Sequence, residues 1–183
     1  MTRTVWLPYP TIEQAAAAVG HPDEVEIAVF PGPNAPIPDS ADRVELIALP
    51  NAEGPASWQV IRDRDLPRLR LLQLGSAGYD HMLPVLPEGV SLANAGGVHD
   101  AGTAELAVAL ALANGRELDR YARDQTAHIW QPGWGRSIAD RQVLIFGYGR
   151  IGAAVERRLA GFEPANVTRI ARTAKTDPAV YPV

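Results

Sequence analysis

Val143-Leu144-Ile145-Phe146-Gly147-Tyr148-Gly149-Arg150-Ile151-Gly152 decides the fold of the second half of this 183-residue chain. Four apolar residues in a row read as a strand covered on both faces, the kind found at the centre of a parallel sheet. The run enters G-x-G-x-x-G, and Ala153 to Leu159 continues with a helical pattern. Each glycine then has its own reason. Gly147 permits the tight strand-to-helix turn, Gly149 lets the backbone approach a pyrophosphate, and Gly152 lets the helix pack closely on the strand. The helix N-terminus directs N–H groups without intrahelical partners at an anion in front of it. A glycine motif alone is a weak signal. The strand before it and the helix after it make it a dinucleotide-binding loop rather than an incidental turn.

Downstream, Asn166 to Ala171 reads as the second strand of the same unit. About 20 residues past the glycine loop, NAD-binding domains place an acidic residue on the ribose 2′-hydroxyl. Ala171 stands there instead, followed by Arg172 and Thr173. A guanidinium suits bidentate recognition of a 2′-phosphate, so the expected cofactor is NADP(H) rather than NAD(H). The counterweight is compositional: of 17 basic residues only Lys175 is a lysine, so one arginine is weak evidence by itself.

Composition narrows the class. An apolar fraction of 46% with 21% charged residues is that of an ordinary globular protein. A net charge of −4 provides no basic footprint, which argues against nucleic acid and anionic membrane as partners. The absence of cysteine removes disulfides and thiolate chemistry. Met1 to Leu7 lacks a signal-peptide apolar core and no 18 apolar residues run together, so the expected location is cytoplasmic. His21, His81, His99 and His128 lack metal-ligand spacing, and no metal site is expected.

In the first half, apolar runs at Thr4–Leu7, Val25–Phe30, Val44–Leu49, Leu69–Leu74 and Val90–Ala93 have the spacing of βα units in a parallel sheet. A helix opens at Thr11, with Gln14 completing a capping box, and stops at Gly20. A second helix is predicted around Ser57–Asp65, and the proline-rich stretch 31–38 must be a loop. Asp100 to Arg123 reads as one long helix, buried first and exposed later, with Gly115 a point of interruption. Glu105 within it calls for a buried partner or a place in an interdomain cleft. Thr126 to Asp140, with Trp130 and Trp134, is irregular yet aromatic, the mark of a segment that packs on something, such as a second subunit.

Leu69 to Leu74 followed by Gly75-Ser76-Ala77-Gly78-Tyr79-Asp80, then Asn94-Ala95-Gly96-Gly97-Val98, Thr103-Ala104-Glu105, Trp130 and the glycine loop agree in order and spacing with one family. The chain resembles the D-isomer-specific 2-hydroxyacid dehydrogenases. That resemblance implies an α/β architecture: a flavodoxin-like parallel-sheet substrate domain over residues 1–98, then the first βαβ unit of a Rossmann cofactor domain. Residues 99–183 would hold the interdomain helix, the dimerisation segment and an incomplete dinucleotide-binding domain. It also implies an NAD(P)-dependent oxidoreductase interconverting a small 2-keto acid and its D-2-hydroxy acid by hydride transfer, working as a homodimer with substrate bound in the cleft between domains.

Carried over by position, Ser76, Ala77 and Gly78 would hold the substrate carboxylate and Thr103 would flank the nicotinamide. Gly147, Tyr148, Gly149, Arg150, Ile151 and Gly152 would surround the pyrophosphate, with Arg172 and Thr173 at the 2′-phosphate. Two departures stand out. Val98-His99-Asp100 occupies a crossover where the family often has asparagine. The family's catalytic arginine, glutamate and acid/base histidine follow the second cofactor strand, so they are expected beyond residue 183; no arginine among Arg150, Arg157, Arg158, Arg169 and Arg172 matches that context. His81, His99 and Asp80 read as structural residues. The competing readings are a non-catalytic dinucleotide-binding or interaction protein, and an inactive truncated product.

Overall fold

The computed structural model describes residues 2–20, 23–32, 34–50, 61, 63–173, 176 and 179–182. The chain divides into two compact units, Met1–Gly96 and Gly97–Val183.

In the first unit, five strands alternate with helical and irregular connections: β1 (Arg3–Leu7), α1 (Ile12–Val19), β2 (Val25–Val29), β3 (Val44–Leu49), β4 (Leu71–Leu74) and β5 (Ser91–Ala93). All pairings are parallel, in the order β2-β1-β3-β4-β5, the flavodoxin-like arrangement. Each predicted strand is present within two residues of its expected bounds. The core gathers Trp6, Phe30, Val44, Ile47 and Leu72, with the Trp6 and Phe30 ring centroids 5.4 Å apart. The one polar atom of the buried indole is satisfied, since Trp6 Nε1 donates to Ser40 Oγ at 2.9 Å. Thr11 caps α1 by accepting the Gln14 N–H, and the Gly20 N–H closes the helix on the Ala16 carbonyl. The stretch 31–38 contains no helix or strand among its described residues. The helix predicted at Ser57–Asp65 lies largely outside the described residues.

The second unit runs α2 (Asp100–Gly115), α3 (Leu118–Thr126), β6 (Gln142–Phe146), α4 (Arg150–Leu159), a 3-10 turn (Ala160–Phe162), β7 (Asn166–Ala171) and β8 (Val180–Pro182). Its sheet is parallel with order β6-β7-β8. This is one strand more than the expected βαβ unit. Three residues ending in proline carry almost no periodic signal, and β8 is recognised only by its pairing with Arg169 to Ala171.

The helix read over Asp100–Arg123 breaks at the expected point of interruption: α2 stops at Gly115, and Glu117, with φ 52°, turns the backbone left-handed before α3 begins. Its first half, expected to be buried, is not. Ala104 and Val108 alone in α2 are buried, the stripe that packs toward Ile145 and Leu159, whereas Leu106 and Leu110 are each 60% exposed. One side of α2 packs, chiefly on α4 and at Ile145 of β6, so the alanine- and leucine-rich remainder is exposed. Glu105 is exposed and needs no buried partner. Trp130 and Trp134 are exposed, at 91% and 101%.

Candidate functional site

The glycine loop links β6 to α4, and its three glycines stand in three different environments. Gly147 has φ +104°, where a side chain would strain the turn. A Cβ on Gly152 would stand 2.5 Å from the Gly147 carbonyl oxygen and 3.1 Å from Ile145 Cγ2, so close packing excludes it. Gly149 is different: its backbone, at φ −100° and ψ −152°, is open to any residue, and a Cβ there would meet no atom within 4 Å. Nothing in the protein demands glycine at 149. What its lack of a side chain preserves is space in front of the helix.

The loop's hydrogen bonds say which groups face that space. The N–H groups of Gly147 and Tyr148 both donate to the Ile170 carbonyl of β7, at 2.9 and 2.8 Å, and Gly149 donates to the Gly147 carbonyl. Ala153 N–H closes the first helical bond on Gly149. Arg150, Ile151 and Gly152 make up the first turn of α4, whose N–H groups the helix itself cannot satisfy. They point where an anion would lie, with the positive end of the helix dipole behind them. The fit to a pyrophosphate is good: an open approach over Gly149 and donors in α4.

Arg150 does not reach forward with its whole side chain. Its Nε donates to Asp100 Oδ2 at 2.9 Å while the side chain stays 70% exposed. This ties the start of α4 to the start of α2, and Thr103, in the exposed first turn of α2, is brought to the same end of the unit. Ile151 is partly exposed at the loop. Tyr148 turns inward. Its ring packs against the small core of Val108, Ile145 and Leu159, and its hydroxyl donates to Glu156 Oε2 at 2.5 Å. Glu156 also accepts from Arg169 of β7 through both carboxylate oxygens, and the Arg169 guanidinium lies over the Tyr148 ring. Foremost the Arg169 hydrogen bonds, and after them that of Tyr148, hold the Glu156 carboxyl below the usual carboxylate range.

At the end of β7, Ala171 is buried, and Arg172 and Thr173 are exposed just past the strand. In the first unit, Ser76, Ala77 and Gly78 follow β4 at the carboxyl end of the sheet. Ser76 Oγ donates to the Gly78 carbonyl at 2.8 Å, Asn94 Nδ2 donates to the Ala77 carbonyl at 2.9 Å, and Ala95 N–H donates to the Ser76 carbonyl. The serine hydroxyl is thus spent inside the loop, leaving backbone N–H groups as the donors an anion would meet. A cavity of about 430 Å³ lies alongside, lined by Tyr79, Leu83, Leu92, Ala93 and Asn94.

Sequence reading missed Asp100, Glu156 and Arg169. The pairs Arg150–Asp100, Tyr148–Glu156 and Arg169–Glu156 are 50, 8 and 13 positions apart, and no local pattern links them.

Residues 108–181 match the family model described as D-isomer specific 2-hydroxyacid dehydrogenase, NAD binding domain. A glyoxylate reductase of Korarchaeum cryptofilum is 36% identical over 107 residues, 52% of this chain and 31% of that protein. A glyoxylate reductase/hydroxypyruvate reductase of Mus musculus is 35% identical over 101 residues, 51% of this chain and 31% of its own length. The matched region therefore spans about a third of these curated relatives. Among solved structures, a D-isomer specific 2-hydroxyacid dehydrogenase family protein from Aeromonas salmonicida superposes with a TM-score of 0.79 at 19% identity, covering 100% of this chain and 59% of that one. The likeness to that structure establishes the shared α/β fold.

Proposed function

We propose that this chain is a member of the D-isomer specific 2-hydroxyacid dehydrogenase family, whose NAD binding domain model its residues 108–181 match, and that it binds NADP(H) at the Gly147–Gly152 loop. It would serve an oxidoreductase that interconverts a small 2-keto acid, of the glyoxylate or hydroxypyruvate kind, with its 2-hydroxy acid. The observation that carries the reading is the open approach over Gly149 to the first turn of α4. A packed loop would have needed glycine for internal reasons there, as it does at 147 and 152. The cofactor, when bound, supplies the hydride chemistry. The protein's residues supply position: the Arg150 and Ile151 N–H groups toward the pyrophosphate, Thr103 beside the nicotinamide, and the backbone of Ser76, Ala77 and Gly78 toward a carboxylate.

The preference for the phosphorylated cofactor rests on the end of β7. Ala171 is buried and presents no carboxylate to a ribose 2′-hydroxyl, while Arg172 and Thr173 stand exposed beside it. A homodimer is proposed from the uncovered apolar groups of the second unit, Leu106, Leu110, Trp130 and Trp134. Among the described residues no helix is long and apolar enough to cross a membrane.

Fluorescence titration of the 183-residue chain with NADPH and NADH tests the cofactor reading. Saturable binding with NADPH the tighter ligand is expected, and absence of binding by both refutes it. NADPH oxidation in the presence of glyoxylate or hydroxypyruvate, by the protein that carries this chain, tests the substrate class.

A further inference from the structure

Side chains of the glycine loop fall into two groups: the exposed ones, Arg150 and Ile151, and one that is half-buried. Tyr148 is the second kind, although it sits between Gly147 and Gly149. Its N–H is bonded to the Ile170 carbonyl of β7, its ring lies in the small core, and its hydroxyl reaches Glu156 in the second turn of α4. Glu156 is in turn gripped by Arg169, the residue just before Ile170 on β7. The chain of contacts is closed: loop to helix through Tyr148 and Glu156, helix to strand through Glu156 and Arg169, strand back to loop through Ile170.

We infer that Tyr148, Glu156 and Arg169 are positioning residues that hold the glycine loop in the shape a dinucleotide pyrophosphate requires. The inference rests on the reading of that loop as the cofactor site. None of the three offers its polar group to the ligand. The Tyr148 hydroxyl and the Glu156 carboxylate are spent on each other and on Arg169, at side-chain exposures of 20% for Glu156 and 26% for Arg169. Their effect passes through the backbone. Gly147 is in a left-handed conformation and neither it nor Gly149 carries a side chain, so Tyr148 between them is the side-chain anchor of this segment. A loop pinned before the ligand arrives loses less freedom on binding, and binds more tightly for that reason. Both nicotinamide cofactors share the pyrophosphate, so the effect should not discriminate between them.

Tyr148→Phe is the incisive variant, because phenylalanine keeps the ring in the core and removes only the hydroxyl. Glu156→Gln keeps an acceptor for Tyr148 while removing the charge that holds Arg169. Hydrogen exchange of the free chain reads the loop without any ligand. In Tyr148→Phe the amides from Gly147 to Arg150 should exchange roughly tenfold faster, the loss of about one hydrogen bond to a charged group, while β7 amides keep their protection. NADPH and NADH should then both bind about tenfold more weakly, with Glu156→Gln between this variant and wild type. A purely structural role would lower the melting temperature and leave loop exchange and the dissociation constants where they were. Unchanged loop exchange in both variants overturns the inference. Faster loop exchange in a chain whose wild type binds neither dinucleotide upholds the anchor and refutes the cofactor reading separately.

Discussion

Gly149→Val and Gly152→Ala are single changes three residues apart with opposite consequences. The Cβ of a valine at 149 meets no protein atom within 4 Å and sits on extended backbone at φ −100°, which β-branched residues readily adopt. The free protein should therefore keep its stability to within about 0.5 kcal/mol, the usual range for a surface substitution. Binding is another matter. The side chain fills the approach to the Arg150 and Ile151 N–H groups, and losing two hydrogen bonds to an anion, at about 1.5–3 kcal/mol each, removes roughly 3 kcal/mol or more. That corresponds to a dissociation constant raised by on the order of 100-fold or more. Alanine at 152 places its Cβ 2.5 Å from the Gly147 carbonyl oxygen, a backbone atom that cannot step aside without moving the turn. Overpacking of this kind costs about 1–3 kcal/mol, and each kcal/mol lowers the melting temperature of a small domain by roughly 4–8 °C. Thermal melts of both variants and wild type, paired with fluorescence titration of NADPH, separate the two effects. Unchanged NADPH affinity in a folded Gly149→Val protein would falsify the site. Equal destabilisation by both substitutions would show that 149 is a packing glycine after all.

Arg172→Ala should weaken NADPH by about 10- to 100-fold, one charge-assisted contact of roughly 1.5–3 kcal/mol, and leave NADH unchanged; parallel titrations decide it, and equal loss for both cofactors marks Arg172 as structural. The Glu156 carboxyl is held below its ordinary range by Arg169 and Tyr148. A group depressed in the folded state contributes stability above its unfolded pKa and loses it as pH falls through the folded one. Glu156→Gln should therefore cost stability at neutral pH and progressively less as the solution is acidified through the carboxylate range; urea melts at several pH values check this, and a cost independent of pH refutes the ion pair's role. Hydrogen exchange should be slower in β7, paired on both sides, than in β6, which pairs only with β7 among the described residues and exposes Leu144 and Phe146. Equal protection of the two strands would mean that another copy of the chain covers the β6 edge.

Much of this molecule was legible in one dimension because the physics involved is local. Apolar runs at βα spacing marked all five strands of the first sheet, and the reversal in strand order follows the flavodoxin-like pattern implied by the resemblance. Thr11 and Gly20 bounded α1 through capping chemistry that spans four residues. The glycine loop declared itself because the strand, the glycine turn and the helix that identify it are contiguous in sequence.

What sequence alone misjudged depended on faces and partners. The first half of Asp100–Arg123 is apolar enough to be buried, yet only Ala104 and Val108 are, because α2 packs along one stripe, chiefly on α4, and how many neighbours surround a helix is a property of the assembled fold. The inward turn of Tyr148, the pairing of Arg150 with Asp100 and the grip of Arg169 on Glu156 link residues with no sequence pattern in common. Gly149 shows the division most clearly. The motif predicted a separate part for each glycine, and the tertiary structure supplies the atoms that decide it: a Cβ at 152 would meet the Gly147 carbonyl oxygen at 2.5 Å, whereas one at 149 would meet nothing within 4 Å.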